Sequence, residues 1–107
     1  MPSPWFPAVL ARIRELAAQR KVHFTLKALR ELAELGMGLD EEDARDVLAS
    51  LAASEFAERL RSKRTGEWMY VFKPEVGGVP VYLKVILRTD CVVISFHEEK
   101  EQSHEDD

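Results

Sequence analysis

Two runs of strand-forming residues, separated by a short turn, constrain this chain more than any other feature. Residues 79–87 and 91–97 consist mainly of β-branched, aromatic and other apolar side chains, which favour strands. The residues between these runs have turn character, and we predict a two-residue loop at Thr89 and Asp90. The two runs then form an antiparallel hairpin whose register is set by this loop.

The predicted register brings polar side chains together on one side of the hairpin. Tyr82 faces His97 and Lys84 faces Ser95, and facing residues have Cβ atoms roughly 4.5–5.5 Å apart. Arg88 lies further along the same side. The turn therefore predicts a phenol beside an imidazole, with two cations further along the same surface.

The other side of the hairpin has the composition of a core. Strict alternation assigns to it an apolar set from both strands: Val81, Leu83, Val85, Leu87, Val92, Ile94 and Phe96. A further strand is predicted at 68–73, and its register is left open because the loop at Gly77 and Gly78 allows several lengths.

Three amphipathic helices are predicted before the strands. They cover residues 8–21, 26–37 and 41–53. Thr25 and Asp40 are the predicted N-caps of the second and third helices. Residues 22–24 form a short link, and 54–63 fit either a helix or a strand. This order predicts an α+β fold, with three N-terminal helices packed on one face of a three- to four-stranded antiparallel sheet.

The length and cysteine content restrict the class of protein. With 107 residues, we expect one domain at 1–99, followed by an acidic and disordered tail at 100–107. No apolar run approaches the roughly 20 residues that cross a bilayer, and the first residues do not resemble a signal peptide. Cys91 has no cysteine partner, which fits a reducing, cytoplasmic compartment, and its place in a strand favours packing over nucleophilic chemistry.

The charge is distributed unevenly along the chain. The net charge is −4, but residues 98–107 hold six acidic residues and one lysine, so the remaining chain is close to +1. Residues 59–88 contain seven basic and two acidic residues. This local excess fits an anionic partner and fits a solvated surface equally well.

The same strands resemble a known family. The VYLK strand, the hairpin, the ISF-x-E ending and the earlier W-x-x-V-F-K-P strand resemble the MqsR family of toxins from bacterial toxin–antitoxin pairs. The resemblance covers residues 22–99. It implies a likeness to the wider RelE-like ribonucleases, which have a compact α/β fold and cut messenger RNA without a metal. It also implies a co-encoded antitoxin that holds the toxin inactive.

The resemblance transfers functional positions one residue at a time. The family tyrosine in the VYLK strand falls on Tyr82, and the family lysine after the SF pair falls on His97. The glutamine after the family tryptophan falls on Met69, and a further family lysine falls on Glu58.

Metal-free RNA cleavage needs a base for the attacking 2′-hydroxyl, an acid for the leaving oxygen and positive charge at the phosphate. We predict that His97 is the general acid or base, because the imidazole pKa of ~6.5 suits proton transfer near neutral pH. The predicted catalytic residues are His97, Tyr82, Lys84 and Arg59. The predicted RNA-binding residues are Arg61, Lys63, Arg64, Lys73 and Arg88.

The sequence thus predicts a metal-independent endoribonuclease toxin, an mRNA interferase with messenger RNA and an antitoxin as partners. No cofactor, metal or membrane is expected, because the sequence contains no cluster with metal-ligand spacing and no glycine-rich phosphate loop. One alternative is a non-catalytic module of the same fold that binds RNA or protein. Another is a structural domain whose sheet face docks a second protein.

Overall fold

The computed structural model describes residues 4–100, and within them three α-helices and a short 3₁₀ helix (Ala53–Glu55) accompany a six-stranded mixed sheet. In chain order the elements are α1 (Phe6–Ala18), β1 (Val22–Phe24), α2 (Leu26–Glu34), α3 (Glu41–Ala49), β2 (Phe56–Arg61), β3 (Trp68–Phe72), β4 (Glu75–Val76), β5 (Val79–Leu87) and β6 (Cys91–Glu98). The α+β class is as predicted. Residues 1–3 and the predicted acidic tail from residue 101 onward lie outside the described residues.

Local signals account for the helix starts. The Thr25 hydroxyl accepts a hydrogen bond from the Ala28 N–H at 3.0 Å, which confirms the predicted N-cap of α2. Asp40 caps α3 in a reciprocal capping box with Asp43. Helix α1 begins earlier than predicted, because Pro7 lies in the first turn, where its missing N–H costs no helical hydrogen bond.

The sheet is larger than predicted and is not purely antiparallel. Its order is β1-β6-β5-β3-β2, with β4 paired to β5, and β1 runs parallel to β6. The prediction of three to four antiparallel strands is therefore wrong. The link at 22–24 is a strand, and the ambiguous segment contains β2. Strand β1 was not predicted because three residues are too few to show an alternating pattern, and because its partner β6 is about 70 residues away in the sequence.

The β5–β6 hairpin has a three-residue loop, not the predicted two-residue loop. Leu87 pairs with Cys91, so residues 88–90 form the loop, and the Arg88 N–H donates to the Asp90 carbonyl at 2.9 Å. The extra loop residue shifts the register by one. Near the turn, each β6 side chain therefore lies on the face opposite to the predicted one.

A β-bulge further along the hairpin cancels this shift. The pairing changes by one residue between Lys84 and Val85 on β5, and Ile94 is the extra residue on β6. Beyond the bulge, Tyr82 pairs with His97, as predicted. The predicted facing pair is thus right, although the loop from which it was deduced is longer than expected.

The loop and the bulge together redistribute the apolar residues of β6. Cys91 and Val93 are fully buried on the core face, whereas Val92 and Ile94 line the opposite face. The prediction that Val92 and Ile94 belong to the core is therefore wrong. Phe96 is fully buried, as are the predicted core residues Val81, Leu83 and Val85.

The helices close the core face of the sheet. Buried residues of α1, α2 and α3 form one cluster with the apolar residues of β3, β5 and β6. Strand β1 pairs only with residues 91–93 of β6. Helix α2 packs along the remaining edge of β6, where the Glu31 carboxylate accepts a hydrogen bond from the Phe96 N–H at 2.9 Å. In the described part of the chain, no helix is both long and apolar enough to cross a membrane.

Candidate active site

The face of the sheet opposite the helical core carries a groove of about 890 Å³. Strands β2, β3, β5 and β6, the β2–β3 loop and the start of α2 line it. Its floor is largely apolar and includes Met69, Ile86 and Ile94. Its charged lining residues are all basic: Lys27, Arg61, Lys63, Arg64, Lys84 and Arg88. Because no carboxylate belongs to this lining among residues 4–100, the groove favours an anionic ligand.

Tyr82 lines the groove, and its ring stacks on the imidazole of His97. The ring centroids are 5.0 Å apart and the planes differ by 11°. This contact follows from the strand register, since Tyr82 and His97 are directly paired across β5 and β6. The stack restricts rotation of the imidazole and keeps it at the sheet surface.

A backbone hydrogen bond determines which nitrogen of His97 can transfer a proton. The Nδ1 atom lies 2.9 Å from the Glu98 carbonyl oxygen. A carbonyl oxygen only accepts, so Nδ1 carries a proton. In the neutral ring, Nε2 therefore holds the lone pair, and in the cation it holds a second proton. The imidazole can act through Nε2 as either a base or an acid.

Lys84 lies at the centre of the sheet with only 3% of its surface exposed. It pairs with Ser95 on β6 and with Val71 on β3, and both of these neighbours are fully buried. The Ser95 hydroxyl accepts a hydrogen bond from the Lys27 ammonium at 2.9 Å. Lys84 is thus a positive charge in a largely desolvated row of side chains, where electrostatic interactions are stronger than in water.

Lys27 was not among the predicted site residues. It follows the N-cap of α2 and reaches the groove from the side, where its ammonium also pairs with Glu31 at 3.0 Å. The sequence shows only a lysine in the first turn of a helix. Its contact with Ser95 depends on the packing of α2 along β6, which no local pattern reveals.

Arg88 is held by a carboxylate. Its Nε and Nη2 atoms donate to the two Glu67 oxygens, each at 2.8 Å. This bidentate contact lowers the pKa of Glu67 to about 2 and raises the pKa of Arg88. It joins the end of the β2–β3 loop to the β5–β6 loop at the turn end of the groove.

The β2–β3 loop presents the remaining cations. The Ser62 hydroxyl accepts from the N–H groups of Arg64 and Thr65, each at 3.2 Å, and Arg61 donates to the Gly66 carbonyl at 2.9 Å. These bonds order the loop. Lys63 and Arg64 of this loop belong to the groove lining, and so does Arg61 at the end of β2.

Three predicted site residues do not belong to the groove lining: Arg59, Lys73 and His97, the last of which stacks on the lining residue Tyr82. Arg59 pairs with Tyr70 and is on the face opposite Tyr82, with its guanidinium between the rings of Trp5 and Trp68. Lys73 follows β3 and pairs with Glu99 at 3.3 Å. The structure therefore does not bring Arg59 to the Tyr82–His97 pair. Its face could not be predicted because β2 was not distinguished from a helix.

Besides His97, two positions depart in type from the family pattern, and both lie on the groove face. Met69 lines the groove and contributes a thioether to its floor. Glu58 is exposed and pairs with Val71, which pairs in turn with Lys84, so the three residues share one face. Relative to the family pattern, the groove face therefore gains a carboxylate at Glu58 and an apolar side chain at Met69, next to its cations.

The cysteine and the carboxylates do not suggest another chemistry. Burial raises the pKa of Cys91 to about 12, so the thiol is not an available nucleophile. This supports its predicted packing role. No cluster of three or more metal-ligating side chains of the His, Cys, Asp and Glu types occurs between residues 4 and 100.

Comparison with known proteins identifies a family and a relative. Residues 7–98 match the sequence model of a family described as the motility quorum-sensing regulator, toxin of MqsA. The mRNA interferase toxin MqsR of Escherichia coli strain K12 is 29% identical over 90 residues, which is 83% of this chain and 90% of that protein. The family match extends from α1 to the end of β6 and so includes every strand that lines the groove.

Proposed function

The chain belongs to the MqsR toxin family, and from that premise we propose that it is an mRNA interferase toxin that cleaves RNA in the basic groove. It acts as an endoribonuclease, and a cognate antitoxin inhibits it. The observation that carries this assignment is the stack of Tyr82 on His97 beside a groove whose charged lining residues are all basic.

The reaction is an attack of a ribose 2′-hydroxyl on the adjacent phosphorus. The 2′-oxygen loses its proton to a base and forms a bond to phosphorus, while the bond to the 5′-oxygen of the next nucleotide breaks. That oxygen takes a proton from an acid. The products are a 2′,3′-cyclic phosphate and a 5′-hydroxyl. The chain must therefore supply proton transfer and positive charge at one phosphate.

We assign proton transfer to Nε2 of His97. Its Nδ1–H is directed to the Glu98 carbonyl, so the orientation of the ring and the reacting nitrogen are both defined. Nε2 accepts the 2′-hydroxyl proton or donates to the leaving oxygen. Tyr82 orients the imidazole through the ring stack, and its phenol is directed to the same surface.

Positive charge for the transition state comes from Lys84. Arg88, at the turn end of the groove, stays in its ion pair with Glu67 and is not assigned a catalytic role. Lys84 is nearly buried, so its interaction with a phosphate oxygen is weakly screened. The exposed cations Arg61, Lys63 and Arg64 bind flanking phosphates. We leave Arg59 out of the catalytic set because its side chain is on the opposite face of the sheet.

Three finer proposals follow from the family. The fold is a member of the wider RelE-like ribonuclease group, which the combination of three helices in residues 4–100 with a sheet supports. The reaction needs no metal, because an imidazole and a buried ammonium supply its chemistry. The protein works in the cytoplasm, where messenger RNA is its substrate.

A non-catalytic RNA-binding module is the second candidate. The carboxylate of Glu58 on the groove face and the thioether of Met69 in the floor favour it, because neither assists phosphate binding. Both candidates bind RNA in the same groove. The non-catalytic module would leave the bound RNA intact, whereas the nuclease would cut it.

Incubation of the purified protein with a long single-stranded RNA in the presence of EDTA tests the assignment. We expect cleavage products with 5′-hydroxyl ends and 2′,3′-cyclic phosphates, at the same rate with and without the chelator. Expression in bacteria should arrest growth. If the protein bound RNA without cleaving it, the nuclease assignment would be wrong and the non-catalytic module would be supported.

A further inference from the structure

Two arginines and two tryptophans form a ladder of stacked side chains along the β2 edge of the sheet. The guanidinium carbon of Arg59 lies 4.0 Å from the ring centroid of Trp5 and 3.8 Å from that of Trp68. Arg61 lies over the same Trp68 ring at 4.0 Å. The order of contacts is therefore Trp5, Arg59, Trp68, Arg61.

The sandwich holds the guanidinium of Arg59 in place without using its hydrogen-bond donors. Cation–π contacts occupy the two faces of the planar group, while its N–H donors lie in the plane and point outward. Among the described residues, no carboxylate or carbonyl oxygen pairs with Arg59, which is partly exposed. An arginine fixed in this way is pre-organised for an anion, since the side-chain entropy that binding usually costs is already lost.

The ladder is continuous with the groove. Arg61 both stacks on Trp68 and lines the groove, next to Lys63 and Arg64. Arg59 and Arg61 are two positions apart on one strand, so their backbone positions are about 7 Å apart. Because β2 is the last strand on its side of the sheet, no further strand separates the groove from the ladder.

We propose that Arg59, clamped between Trp5 and Trp68, binds a backbone phosphate of the single-stranded RNA that flanks the cleaved step. This inference rests on the proposed function. The strand leaves the groove over the β2 edge, passes Arg61 and reaches Arg59, which lies two positions away on the same face of β2 as Arg61. Arg59 thus binds substrate at a distance from the reacting phosphate.

A nucleic acid fits this ladder better than a protein partner does. The ring faces of Trp68 are engaged by two guanidinium groups, and Trp5 packs on Phe56 and Tyr70 as well as on Arg59. The ladder therefore presents charge and hydrogen-bond donors more than open apolar surface. Phosphates along a flexible strand match such donors.

Binding of uncleavable RNA of two lengths tests the proposal. The probes are fully 2′-O-methylated random oligonucleotides of 5 and 15 nucleotides, which lack the attacking hydroxyl. Arg59→Gln should weaken binding of the 15-mer by roughly three- to tenfold, as expected for one charged contact, and leave the 5-mer unchanged. The slope of log K against log salt for the 15-mer should become shallower by about 0.7, which corresponds to one phosphate contact with a single strand.

Arg20→Gln is the matched control. Arg20 is an exposed arginine paired with Glu42, just past the end of α1 furthest from Trp5, about 20 Å away along the helix. Arg20→Gln removes the same charge as Arg59→Gln. If both variants lost the same affinity for the 15-mer, the loss would reflect net charge alone, and the proposal would be overturned. Arg59→Lys keeps the charge without the planar fork. We expect a loss of about twofold that is restricted to the 15-mer, and this measurement replaces Arg59→Gln if that variant does not fold.

Two further outcomes would overturn the proposal: unchanged 15-mer affinity in Arg59→Gln, or equal losses for both lengths. In the first case, weaker binding of a polyglutamate peptide by the same variant would assign the ladder to an acidic protein partner. The two proposals can be tested separately. If the proposed function is wrong, the unmodified protein does not cut RNA. If only the phosphate contact at Arg59 is wrong, the unmodified protein still cuts RNA.

Discussion

The two ends of the groove hold their functional groups in different ways. Near one end, the imidazole of His97 stacks on Tyr82 and donates one hydrogen bond to a backbone carbonyl. At the other end, Arg88 forms a bidentate ion pair with Glu67. Tyr82 and Arg88 are six residues apart along the chain, or about 20 Å if the strand is fully extended. The chain thus separates the group to which we assign proton transfer from a group that an ion pair holds in its charged state.

The contrast has a physical basis. A strong ion pair stabilises one protonation state and so opposes a proton transfer, as the lowered pKa of Glu67 illustrates. A ring stack and a bond to a neutral carbonyl orient the imidazole without fixing its charge. Substitutions at the His97 end should therefore change the rate of cleavage. Those at the Arg88 end should change stability.

Removal of the imidazole should have the largest effect. We expect His97→Ala to lower the rate of RNA cleavage by roughly 10²–10⁴-fold, because a proton-transfer group is lost, with little change in melting temperature. His23→Ala is the control, since His23 is an exposed histidine bound to Asp90. Single-turnover cleavage assays measure both variants. An unchanged rate in His97→Ala would remove this residue from the mechanism.

Removal of the buried charge should have the next largest effect. Lys84→Met keeps the length of the side chain and its apolar packing but loses the cation, and we expect a decrease in cleavage rate of roughly 10²–10³-fold. Lys21→Met removes an exposed lysine outside the groove and should leave the rate unchanged. If Lys84→Met folds and cleaves normally, the charge at the centre of the sheet has a structural role only.

Substitutions at the Arg88 end of the groove should change the stability of the protein at acidic pH rather than its cleavage of RNA. The folded-state pKa of Glu67 is about 2, below the ordinary 4.5, so its contribution to stability is present above about pH 4.5 and is lost as the pH falls toward 2. Glu67→Gln should flatten the decrease in melting temperature over this range. Glu15→Gln removes an exposed carboxylate that has only long contacts, 3.4 Å to Arg12 and 3.5 Å to Gln19, and it should leave this decrease unchanged. Identical acid profiles of Glu67→Gln and the unmodified protein would show that the ion pair contributes nothing.

The smallest effect is expected on the core face. The pKa of the Cys91 thiol is raised to about 12 by burial, so iodoacetamide at pH 8 should leave the folded protein unlabelled and modify it after unfolding in guanidinium. Mass spectrometry measures the modification. Rapid labelling of the folded protein would mean that this part of β6 opens readily.

Local chemistry made part of this structure predictable. Thr25 and Asp40 cap helices because a side-chain oxygen near a helix start satisfies free N–H groups, whatever the rest of the fold. The facing of Tyr82 and His97 was predicted correctly, but through a loop that was one residue too short, an error that the bulge at Ile94 cancels. Sequence periodicity alone does not reveal a bulge.

The remaining features depend on distant parts of the chain. Strand β1 pairs with β6 across about 70 residues, and Arg59 meets a tryptophan 54 positions earlier in the chain. Lys27 reaches Ser95 only because α2 follows the β6 edge. Such contacts result from tertiary packing, so the groove could be predicted along β5 but not where the bulged strand β6, β2 and α2 complete it.

The extra residue at Ile94 links the loop length to the position of the imidazole. If the unchanged chain closed a two-residue loop, with Arg88 facing Cys91, while the bulge remained, His97 would pair with Leu83 and turn toward the helices. Deletion of one loop residue, by contrast, leaves Leu87 opposite Cys91, and deletion of Ile94 leaves Lys84 opposite Ser95. Either length change can therefore be inherited on its own without moving the imidazole away from the phenol.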